Sequence, residues 1–193
     1  YNTAMGYSAM MFNTTGEFNT AVGTKALYNN TTGNSNVAVG RYALYNNTSS
    51  WNNVAIGDNA LYNYSGSEGT IVAIGAQAAY NTQEHLTAIG YQALYNNTTG
   101  SQNMAMGWKA LYSNTTGQGN LAIGDDSLYS NTIGNYNLGI GWRSLQSNTT
   151  GTRNIGLGVQ SLYNNTTGQW NIAIGVTAVS YKHLRAHETM AHL

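Results

Sequence analysis

Chemically reactive side chains are scarce in this 193-residue chain. There is no cysteine, which excludes disulfide frameworks and thiolate metal sites. General acid–base work needs paired carboxylates or a histidine beside an acid. Glu84-His85 and Asp125-Asp126 are the acid/base neighbours, and nothing else converges on either. His183 and His187 stand at i, i+4 with Glu188 beside them, the arrangement of metal ligands on one helical face. They fall in a C-terminal stretch that is set aside below. Gly139-Ile140-Gly141 and Gly156-Leu157-Gly158 mimic part of a phosphate loop, but both are variants of a repeated element. Calcium-binding β-rolls need an Asp in each coil, and these repeats lack it. No catalytic, cofactor or metal residue is therefore assigned, and enzyme activity is not expected. What remains is recognition chemistry. Exposed aromatics beside arginine are the usual composition of binding hot spots, and this chain has Trp51, Trp108, Trp142 and Trp170 near Lys25, Arg41, Lys109, Arg143 and Arg153.

Only 7% of residues are charged, and seven Lys+Arg balance seven Asp+Glu. That balance argues against a nucleic-acid groove and against a polybasic membrane patch. No apolar run approaches the roughly 18 residues of a membrane span, so this segment is not expected to insert. Asn (27) and Gly (23) are over-used, so amides and hydroxyls rather than charges keep the surface wet. Such a composition is expected outside cells. The chain opens in mid-pattern at Tyr1-Asn2-Thr3-Ala4, as a piece of something longer would.

The residues above are set by a repeat. An Ala-x-Gly or Gly-x-Gly element recurs with its second Gly at 6, 23, 40, 57, 75, 90, 107, 124, 141, 158 and 175. The spacing is 17 in eight of the ten steps, with an 18 and a 15 adjacent in the irregular stretch 62–90. With slot 1 placed four residues before that Gly, the consensus is N-x-A-x-G-x-x-A-L-Y-N-N-T-T-G-x-x. Asn36, Gly40, Leu44 and Tyr45 typify slots 1, 5, 9 and 10, and Gly57, Gly107, Gly124 and Gly158 continue the glycine column.

Slots 2 and 4 are β-branched or aliphatic, so slots 1–5 read as a short strand. Slots 8–10 read as a second strand or extended segment. Gly at slot 5 and Asn-Thr-Thr-Gly at slots 12–15 read as turns, because Gly and Asn tolerate left-handed backbone. The expected fold is all-β: a parallel β-solenoid of about eleven coils over residues 1–178, with like residues stacked in columns at about 4.8 Å. An Asn column can then bond amide to amide, as in stacked β assemblies. The strand is apolar on both faces, Val/Ile on one and Ala/Gly on the other, and such a strand must be covered on both. The Leu column covers one face. A second chain is expected to cover the other, with the small Ala/Gly face at an axis between chains.

Asn53-Val54-Ala55-Ile56-Gly57 resembles the head repeats of YadA-like trimeric autotransporter adhesins. The longer run at 19–33 is also similar to repeats of phage tail-fibre-like and bacterial surface proteins. The resemblance covers 1–178. It implies a left-handed β-roll, a homotrimer, placement on a bacterial surface or virion fibre, and adhesion to an extracellular matrix protein such as collagen. Its 17-residue coil is longer than is usual in those heads. Residues 179–189 instead resemble, apart from Lys182, a translated sequencing-library adapter at the end of a metagenomic reading frame. Residues 179–193 are accordingly treated as a non-native C-terminal extension.

Slots 6, 7, 16 and 17 vary freely and are expected to face solvent. Arg41, Tyr42, Tyr91, Trp108, Lys109, Trp142 and Arg143 form the candidate partner-binding surface, with Lys109–Asp126–Arg143 as an ion-pair ladder. The expected function is a structural and adhesive fibre segment presenting these corners to a protein or glycan receptor. The alternative is a monomeric solenoid that binds a glycan or ice. Adjacent Thr14-Thr15 and Thr31-Thr32 point in different directions within a turn, which disfavours a flat ice-binding face. Asn-Thr-Thr is also a glycosylation acceptor, but its repetition is explained by turn chemistry. The lengthened corner at 65–70 reads as drift in a solvent-facing turn rather than a binding loop.

Overall fold

Each repeat contributes one strand and one return path. The structure, a computed structural model, describes residues 1–66, 70–83 and 85–179. The strands are β1 (Thr3–Met5), β2 (Thr20–Val22), β3 (Val37–Val39), β4 (Val54–Ile56), β5 (Val72–Ile74), β6 (Leu86–Ile89), β7 (Asn103–Met106), β8 (Leu121–Ile123), β9 (Leu138–Ile140), β10 (Ile155–Leu157) and β11 (Ile172–Ile174). They form one parallel sheet in chain order, in slot-for-slot register: Val37 lies against Val54, Ala38 against Ala55 and Val39 against Ile56. The molecule is the expected parallel β-solenoid. The metal-ligand reading of His183, His187 and Glu188 lies outside the described residues, as does the extension from residue 180.

The two faces of the strand are assigned opposite to expectation. Slot 3 points inward: Ala21, Ala38, Ala55, Ala88, Ala105 and Ala122 are fully buried. It meets slot 8 and the slot 9 leucines of the same interior, of which Leu27, Leu44, Leu61, Leu94, Leu111, Leu128 and Leu145 are also fully buried. Period-two alternation then turns slots 2 and 4 outward. The small face therefore lines the inside of its own coil, not an axis between chains. The coil is so narrow that nothing larger than alanine fits opposite slot 8.

The return path also departs from expectation. Slots 8–10 are consecutive turns rather than a strand. Slots 7 and 9 have positive φ in every coil, including 52° at Leu44 and at Leu111. The chain thus alternates handedness, yet it still stacks in register. Leu27 N–H donates to Ala43 O at 3.0 Å, and Asn29 N–H to Tyr45 O at 3.1 Å. Glycine is obligatory at slot 5, where φ is 139° at Gly107 and an added Cβ would lie 2.6 Å from Gly124 O. At slot 15 glycine serves space rather than φ. A Cβ on Gly117 would strike Gly134 O at 2.5 Å and the Asn131 amide at 2.9 Å.

Two buried asparagine columns hold the coils in phase. At slot 1, Asn36 donates its backbone N–H (2.9 Å) and a side-chain N–H (3.2 Å) to Asn19 Oδ1. It donates its other side-chain N–H to Ser50 O, closing its own coil, at 2.8 Å. At slot 12, Asn131 Nδ2 bonds Asn114 Oδ1 and Asn148 Nδ2 bonds Asn131 Oδ1, both at 2.8 Å. A third column stacks tyrosine rings, from Tyr28 on Tyr45 (5.1 Å between centroids) through Tyr112 on Tyr129 (5.2 Å). Where coil length changes, the amide columns break: Ile71 and Leu86 occupy slot 1, and Tyr64 and Thr82 slot 12, all buried.

Coils 8 to 10 show compensation inside the core. Slot 8 becomes Ser127 and Ser144, and the slot 3 residue of the following coil becomes Gly139 and Gly156. Ser127 Oγ donates to Gly139 O at 2.9 Å, and Ser144 Oγ to Gly156 O at 2.8 Å. A Cβ on Gly139 would lie 2.7 Å from Ser127 Oγ. Gly139→Ala should therefore destabilise the rod by about 1–3 kcal/mol. Adding Ser127→Ala should recover most of that loss, since Ala opposite Ala is the arrangement from Ala9 with Ala21 through Ala110 with Ala122. A double-mutant cycle by thermal denaturation measures the coupling.

The tyrosine stack sets an alkaline limit. Burial among its neighbours, then the charges of ionised Tyr95 and Tyr62, raise the pKa of Tyr80 above the ordinary tyrosine value. A raised pKa favours the neutral phenol in the folded state, so this contribution is full below about pH 10 and is lost as pH climbs past the folded value. Melting temperature should fall on that alkaline side, together with the rise of tyrosinate absorbance.

Candidate functional site

The solenoid carries its variable residues on two corners. Slot 6 faces solvent as expected, with Tyr91 and Trp108 each 44% exposed and Trp142 45%. The slot 7 residues Tyr42, Lys109 and Arg143 are half-buried, and their left-handed backbone is a property of every coil, not local strain. The candidates separate into two groups. Arg41 and Tyr42 stand in the third coil, while Tyr91, Trp108, Lys109, Trp142 and Arg143 span the sixth to ninth.

The first group is largely satisfied within the chain. Arg41 Nε and Nη2 donate to Asp58 Oδ1 and Oδ2 at 2.8 and 3.0 Å. This fork was not anticipated, although opposite charges in one slot of adjacent coils were its signature. The hydrogen bond and the Asp58 charge hold the guanidinium above the ordinary arginine pKa. Tyr42 lies edge-on to Tyr45 and Tyr62, at 5.4 and 6.1 Å. An exposed ion pair of this kind contributes little to stability. It fixes a planar cation beside an aromatic ring.

The second group is a run of aromatic faces capped by cations. Tyr91 stacks on Trp108 at 6.3 Å. Lys109 Nζ stands 4.3 Å from the Trp108 ring centre, and Arg143 lies 4.4 Å from that of Trp142. Between the two tryptophans, Asp125 accepts from the Trp108 backbone N–H at 2.9 Å. Of the expected ladder only one rung is present: Arg143 Nε is 3.6 Å from Asp126 Oδ2, too far for a hydrogen bond, and Asp126 is buried rather than solvent-facing. Lys109 leans on Trp108 and Tyr112 instead. On the opposite corner Arg153 is held between Trp170 (4.5 Å) and Tyr136 (5.7 Å), and Trp51 stands exposed.

A further surface was hidden by the assignment of strand faces. Slots 2 and 4 make an apolar stripe along the sheet, two side chains wide through Val37/Val39, Val54/Ile56, Met104/Met106 and Ile172/Ile174 and one wide where Thr3, Thr20 and Thr87 hold slot 2. Met104 is 43% exposed, Met106 42% and Ile174 71%. No group of three or more metal-ligating side chains occurs among the described residues.

Fold and surface together define a parallel β-solenoid repeat protein with an apolar sheet face and aromatic–cation corners. No family model, curated protein or solved structure is similar enough to the chain to count as a match.

The corner geometry has a spectroscopic consequence. Three of the four tryptophans carry a cation over the ring, which attracts anions to it. Iodide should therefore quench the tryptophan fluorescence more strongly than caesium. In a variant retaining Trp108 alone, Lys109→Met should remove that preference.

Proposed function

We propose that the chain is a structural and adhesive segment of an extracellular fibre, on a bacterial surface or a virion, in which three copies pack around one axis. The observation that carries this reading is the slot 4 column, apolar in every coil and flanked by apolar slot 2 residues in all but the three coils where Thr3, Thr20 and Thr87 stand. Exposed contiguous apolar surface of that extent marks an interaction site. It runs the full length of the rod, so its natural cover is another rod with the same repeat. Closed cyclic symmetry covers every copy's stripe without leaving a free one. Three copies agree with the adhesin-head resemblance, now with the Val/Ile face inward and the Ala/Gly face inside each coil.

The aromatic–cation corners lie outside the stripe and remain available to a matrix protein. Trp108 and Trp142, each braced by a cation, are the anchors such a partner would meet. The surface around them is neutral and rich in amides and hydroxyls, which suits display outside a cell.

Light scattering after size exclusion tests the assembly. About three chains per particle are expected. Ile56→Lys places a charge in the stripe at a position exposed in the single rod, and should give one chain per particle with the β-sheet circular dichroism retained. A wild-type particle of one chain overturns the reading in favour of a self-contained solenoid.

A further inference from the structure

An open groove of about 630 Å³ runs along the first four coils, between the slot 11 and slot 13 columns. It shares no residue with the apolar stripe or with the aromatic–cation corners. One wall is Asn29, Asn46 and Asn63, and the other is Thr14, Thr31 and Thr48. The slot 12 asparagines between them turn inward and are buried. Phe12 stands at one end, 48% exposed, braced edge-on by Tyr28 at 5.0 Å. Gln83 closes the other end: its Nε2 donates to Asn63 O at 2.8 Å, and its Oε1 accepts from Ser65 Oγ at 3.2 Å. Among the described residues, no charged side chain lines the groove.

The two walls offer opposite halves of a hydrogen bond. Asn29 Nδ2 donates to Asn46 Oδ1 at 3.1 Å, and Asn46 Nδ2 to Asn63 Oδ1 at 3.2 Å. Each of these two amides has a second N–H that makes no hydrogen bond among the described residues. Thr14 Oγ1 donates to Thr31 O, and Thr31 Oγ1 to Thr48 O, both at 2.9 Å. Their hydrogens are committed and their lone pairs are free. A ligand hydroxyl can therefore accept from the asparagine wall and donate to the threonine wall. Both halves are complete in the second coil, at Asn29 and Thr31; Phe12 holds slot 11 in the first coil, and Asn46 with Thr48 and Asn63 with Ser65 continue the walls at successive coils about 4.8 Å apart, close to the advance of one ring in an extended glycan. Phe12 adds an aromatic face for a terminal sugar ring.

The geometry points to a binding site for a neutral, extended oligosaccharide in this groove. A uronic or sulfated chain would have to bury charge against a wall with no cation. A peptide strand would find no free backbone ladder here, since the groove is made of side chains. Ice is disfavoured because the Thr14 and Thr31 hydroxyl hydrogens are already used.

Titration calorimetry on the full chain with cellotetraose and chitotetraose, and with tetragalacturonate as the charged comparison, tests the site. Saturable binding of a neutral tetrasaccharide is expected, and weaker or no binding of the charged one. Phe12→Ala should weaken it about tenfold. Thr31→Val should weaken it several-fold, whereas Thr149→Val should leave it unchanged. Thr149 makes the same bond, to Thr166 O at 3.1 Å, outside the groove, so it controls for any effect on folding. No saturable binding of either neutral sugar overturns the proposal. So does equal loss in the two threonine variants, binding indifferent to Phe12→Ala, or tighter binding of tetragalacturonate.

Discussion

A primary amide has two donor hydrogens and one acceptor oxygen, and the slot 1 column at the centre of this rod uses them all. The slot 1 asparagine spends one N–H on the carbonyl that ends its own coil, as Asn137 does with Gly151 O at 2.8 Å. The other N–H, with the backbone N–H, goes to Asn120 Oδ1 in the coil before. One side chain thus sets both the circumference of a coil and its height above the last. Buried polar groups are costly unless bonded, so a coil of different length would strand two such columns. The irregular stretch follows this logic. Where the step changes to 18 and then 15, the amides give way to Ile71, Leu86 and Tyr64, which need no partner chain of amides to be buried.

The left-handed leucines follow from the same constraint. A 17-residue loop around a core of single Ala and Leu side chains must turn sharply. It does so by alternating the sign of φ through slots 5, 7 and 9. A leucine at positive φ costs about 1 kcal/mol, and burial of its side chain returns about 1.5–3 kcal/mol. Glycine at slot 9 would relax the backbone but empty the interior. At slot 5 the balance reverses, because the neighbouring coil's carbonyl leaves no room for any side chain.

The period, the strand, the parallel stacking and the slot 1 asparagine, leucine and tyrosine columns were legible in the sequence, because each depends on a residue type recurring at one slot; the buried slot 12 amide column was not, because Asn-Thr-Thr-Gly reads as a turn. The inward direction of the strand was not. Val/Ile and Ala/Gly are both apolar, so alternation alone did not say which face was the interior. The deciding signal was the joint change of Ser127 with Gly139 and of Ser144 with Gly156, which marks slots 3 and 8 as touching. The return path was misread because leucine and tyrosine favour strands, whereas here φ is imposed by closure of the coil. At the corners, exposure of Trp108 and Trp142 was legible from slot variability. The forked bond from Arg41 to Asp58 and the burial of Asp126 depend on contacts between coils. The polar groove was missed because its asparagines and threonines had been assigned wholly to turn-making.

Every strand here bonds only to the strand before it and the strand after it. The array is therefore a ruler graduated in whole coils. Excising residues 120–136 would bring Asn137 onto Asn103 with the same slot pairing as before, and would shorten the rod by one graduation. The slot register survives the loss of one whole repeat, although Gly139 would then face Ala110 in place of Ser127. The reach of such a rod, and the distance between Trp108 and the features beyond it, can drift in these discrete increments while the cross-section stays fixed.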